Sequence, residues 1–163
     1  QLIIPLLCRV FSPNQGAVSL NQIDLTQLSI VQLMEQVGVV PADPKASGIS
    51  VGTFLNPDGK FRAEQVNDVL IEVKLFESVA KLPNRIEDMV DRLTVADRQL
   101  LCLARCYLRK PALLLVEQIH PEIIDVVSVA LKKKFAEQTV IVIASHDVQY
   151  KNICERLISL DSL

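Results

Sequence analysis

The stretch Leu93–Gln118, LTVADRQLLCLARCYLRKPALLLVEQ, carries the clearest structural pattern in this 163-residue chain. Pro111 divides it into a predicted helix and a predicted strand, because proline cannot continue a helix. After it, Ala112–Val116 is a continuous apolar run, typical of a strand buried on both faces. Glu117 and Gln118 follow that strand, at the end where open α/β sheets bind ligands. Before it, apolar residues recur at the three- and four-residue spacing of one helix face: Leu100, Leu103, Ala104, Tyr107 and Leu108.

The composition predicts one domain with an aliphatic core. Half of the residues are apolar, but only 4% are aromatic. The formal net charge of −2 gives no electrostatic reason to expect nucleic-acid binding. No signal peptide is evident, and no apolar run approaches the roughly 18 residues that cross a bilayer. The four cysteines lack metal-ligand spacing, so we expect reduced thiols at Cys8, Cys102, Cys106 and Cys154.

Periodicity and turn residues predict the elements on either side of this stretch. The apolar stripe of Ala63–Ala80 predicts one helix, formed by Val66, Val69, Leu70, Val73, Phe76 and Val79. The remaining predictions are a strand over Gly16–Leu20 and Ile23 with a turn at Asn21–Gln22, a helix over Ser29–Gln36, a strand over Val37–Pro41, an amphipathic helix around Ile123–Phe135, and strands over Gln138–Ala144 and Leu157–Leu160.

The Leu93–Gln118 stretch resembles the segment between the signature loop and the Walker B strand of ATP-binding cassette (ABC) transporters. The likeness is to the second nucleotide-binding domain of the C-type, multidrug-resistance-associated subfamily, where the pattern is close to LSVGQRQLxCLARAxLRK. The resemblance covers about residues 6–163. It implies an α/β, three-layer P-loop NTPase fold lacking its N-terminal strands and phosphate loop, which would lie upstream of Gln1. We expect one partial domain over 1–163. A helical subdomain would span about 45–100, and the core sheet with its flanking helices 1–44 and 101–163.

The family also implies cofactors, partners and a location. These are ATP and Mg²⁺, a second nucleotide-binding domain, and the transmembrane domains of a transporter at the cytoplasmic face of a membrane. In the subfamily, one of the two ATP sites often binds ATP without hydrolysing it.

The signature-loop positions are Thr94, Val95, Ala96 and Asp97. Ala96 stands in place of a glycine and adds a Cβ where close approach to a phosphate is expected. Asp97 stands in place of a glutamine and would bring a carboxylate near a polyanion. The alternative interpretation is that Thr94 and Asp97 only cap the following helix.

The other positions that the resemblance assigns to catalysis also differ from the family. Ala42 replaces the Q-loop glutamine and has no polar side-chain atom. Glu117 replaces the Walker B aspartate and could still order Mg²⁺ through water. Gln118 replaces the glutamate that activates the attacking water, and an amide cannot accept that proton. His146 is a candidate for the switch histidine, although ungapped alignment places Ser145 there. The alternative for Glu117 and Gln118 is a polar strand end that faces solvent. The alternative for His146 is an ordinary exposed histidine.

Two functions remain open from the sequence. The first is a partial nucleotide-binding domain of an ABC-type transporter, ATPase-like but with impaired hydrolysis. The second is a solitary, non-catalytic ABC-like remnant that acts as a protein-interaction module.

Overall fold

A computed structural model describes residues 3–143, 154–156 and 158. The helices and strands follow in the order α1 Ile3–Leu7, β1 Ser19–Leu20, β2 Ile23–Asp24, α2 Ile30–Gln36, β3 Val37–Val40, α3 Val51–Leu55, α4 Ala63–Glu72, α5 Phe76–Ala80, α6 Val95–Arg109, β4 Leu113–Val116, α7 Ile124–Lys134 and β5 Thr139–Val142. Within these ranges, no helix combines the length and the apolarity needed to cross a membrane. Apart from Ile158, the predicted strand Leu157–Leu160 lies outside the described residues.

The central layer is a parallel sheet with strand order β3-β4-β5. Its register pairs Val37 with Leu113 and Leu113 with Thr139. All four residues of β4 are buried, as the continuous apolar run predicts for the middle strand of a parallel sheet. A separate hairpin joins β1 to β2 through Asn21 and Gln22, both of which have positive φ. The predicted polar turn is therefore confirmed, although its strands are shorter than expected.

Helix α6 begins after Thr94 and ends where Lys110 adopts a left-handed conformation with φ of 50°. The Lys110 N–H bonds back to the carbonyl of Cys106, and Pro111 prevents further helix. The helix, turn and strand predicted for this stretch are thus confirmed. The predicted apolar face was too narrow, since Leu101 and Cys102 are also buried. They are buried because α6 packs between β3 on one side and α3 and α4 on the other.

The single helix predicted over Ala63–Ala80 is wrong. Two helices form instead, because Lys74 adopts a left-handed φ of 58°. The Leu75 N–H bonds to the Leu70 carbonyl, and the Lys74 N–H bonds to the Ile71 carbonyl. This is the Schellman arrangement that ends helices, with lysine where glycine is usual. The break leaves Leu75 fully buried, and Phe76, predicted on the apolar stripe, is 42% exposed.

One aliphatic cluster connects the helices α3 to α7 with strands β3 and β4. The backbone of β3 comes close to neighbouring side chains at Gly38. A Cβ at that position would lie 2.7 Å from Pro111 Cγ and 2.8 Å from Cys106 Sγ. Burial raises the pKa of both Cys102 and Cys106 to about 12, so these thiols stay protonated at neutral pH.

Candidate functional site

The carboxyl ends of β3 and β4 lie side by side and bring two predicted site residues into contact. Val40 pairs with Val116 at the last position of the ladder, and the Glu117 N–H donates to the Val40 carbonyl at 2.9 Å. The Ala42 N–H then donates to Glu117 Oε2 at 2.8 Å. The two residues are 75 positions apart in the chain. Parallel β3–β4 pairing therefore assembles this part of the site.

Gln118 follows Glu117 at the same edge of the sheet. Its side chain is exposed, and its backbone carbonyl accepts a hydrogen bond at 3.0 Å from Gln99 of α6. A side-chain amide does not take up a proton at physiological pH, whatever its position. The sequence prediction that Gln118 cannot serve as a general base stays a prediction that turnover must test.

The loop before α6 uses its polar side chains to cap the helix. Thr94 Oγ1 accepts from the Asp97 N–H at 3.1 Å and donates to Asp97 Oδ2 at 2.9 Å. The other carboxylate oxygen, Oδ1, accepts from the Ser78 hydroxyl of α5 at 3.1 Å. Both oxygens of Asp97 thus have partners within the chain, as the capping interpretation expects.

The two residues between Thr94 and Asp97 differ in exposure. Ala96 is 5% exposed and belongs to the aliphatic cluster, whereas Val95 is half-buried. The extra methyl group of Ala96 is therefore a packing group in this fold. A role in nucleotide contact for the four loop residues stays a prediction.

A polar contact joins the loop after β3 to the N-terminal part of α6. The Asp43 carboxylate lies 3.4 Å from the Arg98 guanidinium and also pairs with Lys45. The hydrogen bond from Lys45, followed by the charges of Lys45 and Arg98, lowers the pKa of Asp43. The carboxylate therefore stays ionised next to the Ala42 position.

Sequence reasoning missed the most highly connected side chain of this region, Gln99 of α6. It is 1% exposed, and its amide bonds to the loops that follow both β3 and β4. A signal was present in the sequence, since Gln99 lies between Ala96 and Leu103 on the buried side of the helix. A polar residue in a buried stripe needs hydrogen-bond partners there.

The described side chains offer one candidate carboxylate for Mg²⁺ at this edge of the sheet, that of Glu117, and its ordering of the ion through water stays a prediction. Mg²⁺ is octahedral, usually keeps several waters and is bound through one or two carboxylates together with substrate phosphates. In residues 3–143, 154–156 and 158, no group of three His, Cys, Asp or Glu side chains could hold a metal ion. Glu117 offers one carboxylate, and one of its oxygens already accepts from Ala42. His146 and Ser145 lie outside the described residues.

The family model described as "ABC transporter" matches residues 2–118, more than half of the chain. The chain therefore belongs to the ABC transporter family. The match includes β3, the Thr94–Asp97 loop, α6 and β4, and it ends at Gln118.

The relatives narrow the class to the C type. ATP-binding cassette sub-family C member 4 of Homo sapiens is 26% identical over 168 residues, which cover 98% of this chain and 12% of that protein. ABC transporter C family member 15 of Dictyostelium discoideum is 28% identical over 145 residues, which cover 85% of this chain and 10% of that protein. Probable multidrug resistance-associated protein lethal(2)03659 of Drosophila melanogaster is 28% identical over 141 residues, which cover 82% of this chain and 10% of that protein. The chain spans about a tenth of the length of these relatives.

These matches confirm the resemblance drawn from the Leu93–Gln118 stretch. The chain is similar to C-type ABC nucleotide-binding domains, and its parallel sheet flanked by helices agrees with the predicted α/β P-loop NTPase class. The division near residues 45 and 100 stays a prediction.

Proposed function

We propose that this chain is the nucleotide-binding-domain part of a C-type ABC transporter, and that its own strand-end site does not hydrolyse ATP. The observation that carries the proposal is Gln118, an amide at the end of buried β4 where the resemblance places the catalytic glutamate. A positioned general base contributes about 10²- to 10⁴-fold to a rate. An amide in its place contributes none of that, so any turnover at this site is slower by a comparable factor.

The neighbouring carboxylates support the same proposal. Glu117 accepts from the Ala42 N–H, and Asp97 accepts from Thr94 and Ser78. Each group is thus used to hold loops together. On this proposal the site contributes an interface with a second nucleotide-binding domain, and ATP binding without turnover.

The transporter part is tested on the native polypeptide. An antibody raised against residues 63–81 recognises the protein in its own cells, and mass spectrometry gives the intact mass. We expect a species many times heavier than the 18.1 kDa of this chain, found in the membrane fraction. A soluble species near 18.1 kDa would contradict the transporter proposal.

A second candidate function is a non-catalytic protein-interaction module. It is favoured by the outer face of α2, where Ile30, Val31 and Met34 are 51%, 68% and 66% exposed. Clustered apolar side chains on a surface often mark a contact with another protein. The same mass measurement separates the two candidates, because only the module is expected as a small soluble species.

A further inference from the structure

Gln99 connects three chain segments through one buried amide, namely α6 and the loops after β3 and β4. Its Nε2 lies 3.0 Å from the Pro41 carbonyl oxygen, 2.9 Å from that of Ala42 and 3.0 Å from that of Gln118. Its Oε1 accepts from the His120 N–H at 2.8 Å. The Gln99 side chain therefore forms hydrogen bonds to the loop after β3 and to the loop after β4, although Gln99 itself lies in α6.

The chemistry of this contact is specific to glutamine. A glutamine amide has two N–H groups, so at least one is shared among the three carbonyl oxygens. Its oxygen accepts from the His120 N–H. A glutamate would face the carbonyl oxygens without a donor, and a lysine would leave the His120 N–H without an acceptor. Only an amide of this length satisfies both loops at once.

We propose that Gln99 is a positioning residue that holds the loops after β3 and β4 at a fixed separation and couples them to the N-terminal end of α6. The coupling follows from its place in the helix. Gln99 lies in the second turn after the Thr94 cap. A displacement of the Thr94–Asp97 loop therefore moves the Gln99 amide, and with it the carbonyl groups of Ala42 and Gln118 that are hydrogen-bonded to it. This role does not depend on nucleotide binding or on the proposed lack of turnover.

The first test replaces the amide by a carboxylate of the same shape. In Gln99→Glu at pH 8, the charged group faces three carbonyl oxygens. We expect the folded-to-unfolded ratio to fall by about 100-fold or more. The repulsion raises the folded-state pKa of the new carboxyl above its unfolded value. The folded state then binds more protons, and stability returns as pH falls towards 5.

The matched control is Gln65→Glu, an exposed position on α4. The Gln65 Oε1 only accepts from the Arg62 N–H, which a carboxylate also does. The charged or titratable groups near the Gln99 site, Asp43, Arg98, Glu117 and His120, are present in both variants, so the comparison is made at each pH. We expect a pH-dependent loss in Gln99→Glu alone. Equal stability of the two variants from pH 5 to pH 8 would overturn the proposal.

The second test needs no change at Gln99 and therefore survives a folding failure of that variant. Amide hydrogen exchange is followed in the full chain, with and without Thr94→Ala. If Gln99 couples the two regions, removing the cap speeds exchange at the His120 amide by about fivefold, the equivalent of one lost cap. Amides in the centre of β4 change less. Equal acceleration at both places, or no acceleration at His120, would overturn the coupling.

Discussion

The buried stretch from Leu100 to Val116 and the strand-end loops around Ala42 and Gln118 lie next to each other but follow different constraints. In the first, most residues are buried between the sheet and the helices. In the second, Ala42 and Gln118 are exposed and Glu117 is half-exposed. The resemblance predicts that the family pattern is retained in the buried stretch and altered at the loops. On that prediction, packing maintains this fold independently of the catalytic chemistry at its edge.

The largest expected effect lies in the buried stretch. Leu103→Ala removes a fully buried side chain from the centre of α6. We expect a loss of about 2–5 kcal/mol in the free energy of unfolding, since the lost burial adds to the cost of a cavity. Denaturation in urea measures it. The control is Ile71→Ala on α4, where the side chain is 57% exposed and a change below about 0.5 kcal/mol is expected. Equal losses in Leu103→Ala and Ile71→Ala would contradict the expected difference between buried and exposed positions.

The next largest loss of stability is expected at Gly38, where the backbone of β3 lies close to Pro111 and Cys106. In Gly38→Ala the new methyl group meets Pro111 Cγ and Cys106 Sγ below 3.0 Å, so we expect a loss of about 1–3 kcal/mol by urea denaturation. Adding Cys106→Ala removes one of the two obstructing atoms and should restore part of the loss. If the double variant loses as much stability as the two single variants together, the contact between residue 38 and Cys106 does not cause the loss.

Removing the helix cap has a smaller effect. Thr94→Ala leaves the Asp97 N–H without its side-chain acceptor and should cost about 1 kcal/mol of unfolding free energy. Thr94→Ser retains the hydroxyl and should stay within about 0.5 kcal/mol of the unaltered chain. Thermal denaturation of the three proteins checks both values. A loss in the serine variant as large as that in the alanine variant would exclude capping as the cause.

The smallest effect is expected at the strand ends. Glu117→Gln retains an oxygen that accepts from the Ala42 N–H, so the free energy of unfolding should change by less than about 0.5 kcal/mol. Glu117→Ala removes the acceptor and should cost about 1 kcal/mol. Urea denaturation at pH 7 compares the two. A large loss in Glu117→Gln would mean that the charge itself stabilises the fold.

Sequence reasoning succeeded where one local signal decided the structure. The apolar run before Glu117 favoured a buried strand, and Pro111 marked the end of α6. It failed at Lys74, where a left-handed lysine ends α4 and the next residue, Leu75, is buried; the apolar stripe alone does not reveal such a break.

In the candidate site, too, the sequence predicted some features and missed others. Ala42, Glu117 and Gln118 could be named from the resemblance, and their placement at strand ends followed from the predicted sheet. The Gln99 contacts could not be derived, because they join segments 19 to 58 residues apart in the chain. The sequence left two interpretations of Asp97 open, proximity to a polyanion and helix capping. Its bond to Ser78 depends on how α5 packs against α6, which periodicity does not specify.

The most direct test of the account is the effect of Gln118→Ala on Mg-ATP turnover by the native polypeptide that carries this domain. The account holds that Gln118 contributes nothing as a general base. Steady-state phosphate release should therefore stay within about twofold of the unaltered protein, whatever other sites that polypeptide contains. Gln118→Glu, measured in parallel, shows whether a carboxylate at this position changes the rate. A fall of about tenfold or more in Gln118→Ala would show that Gln118 contributes to turnover and would contradict the account.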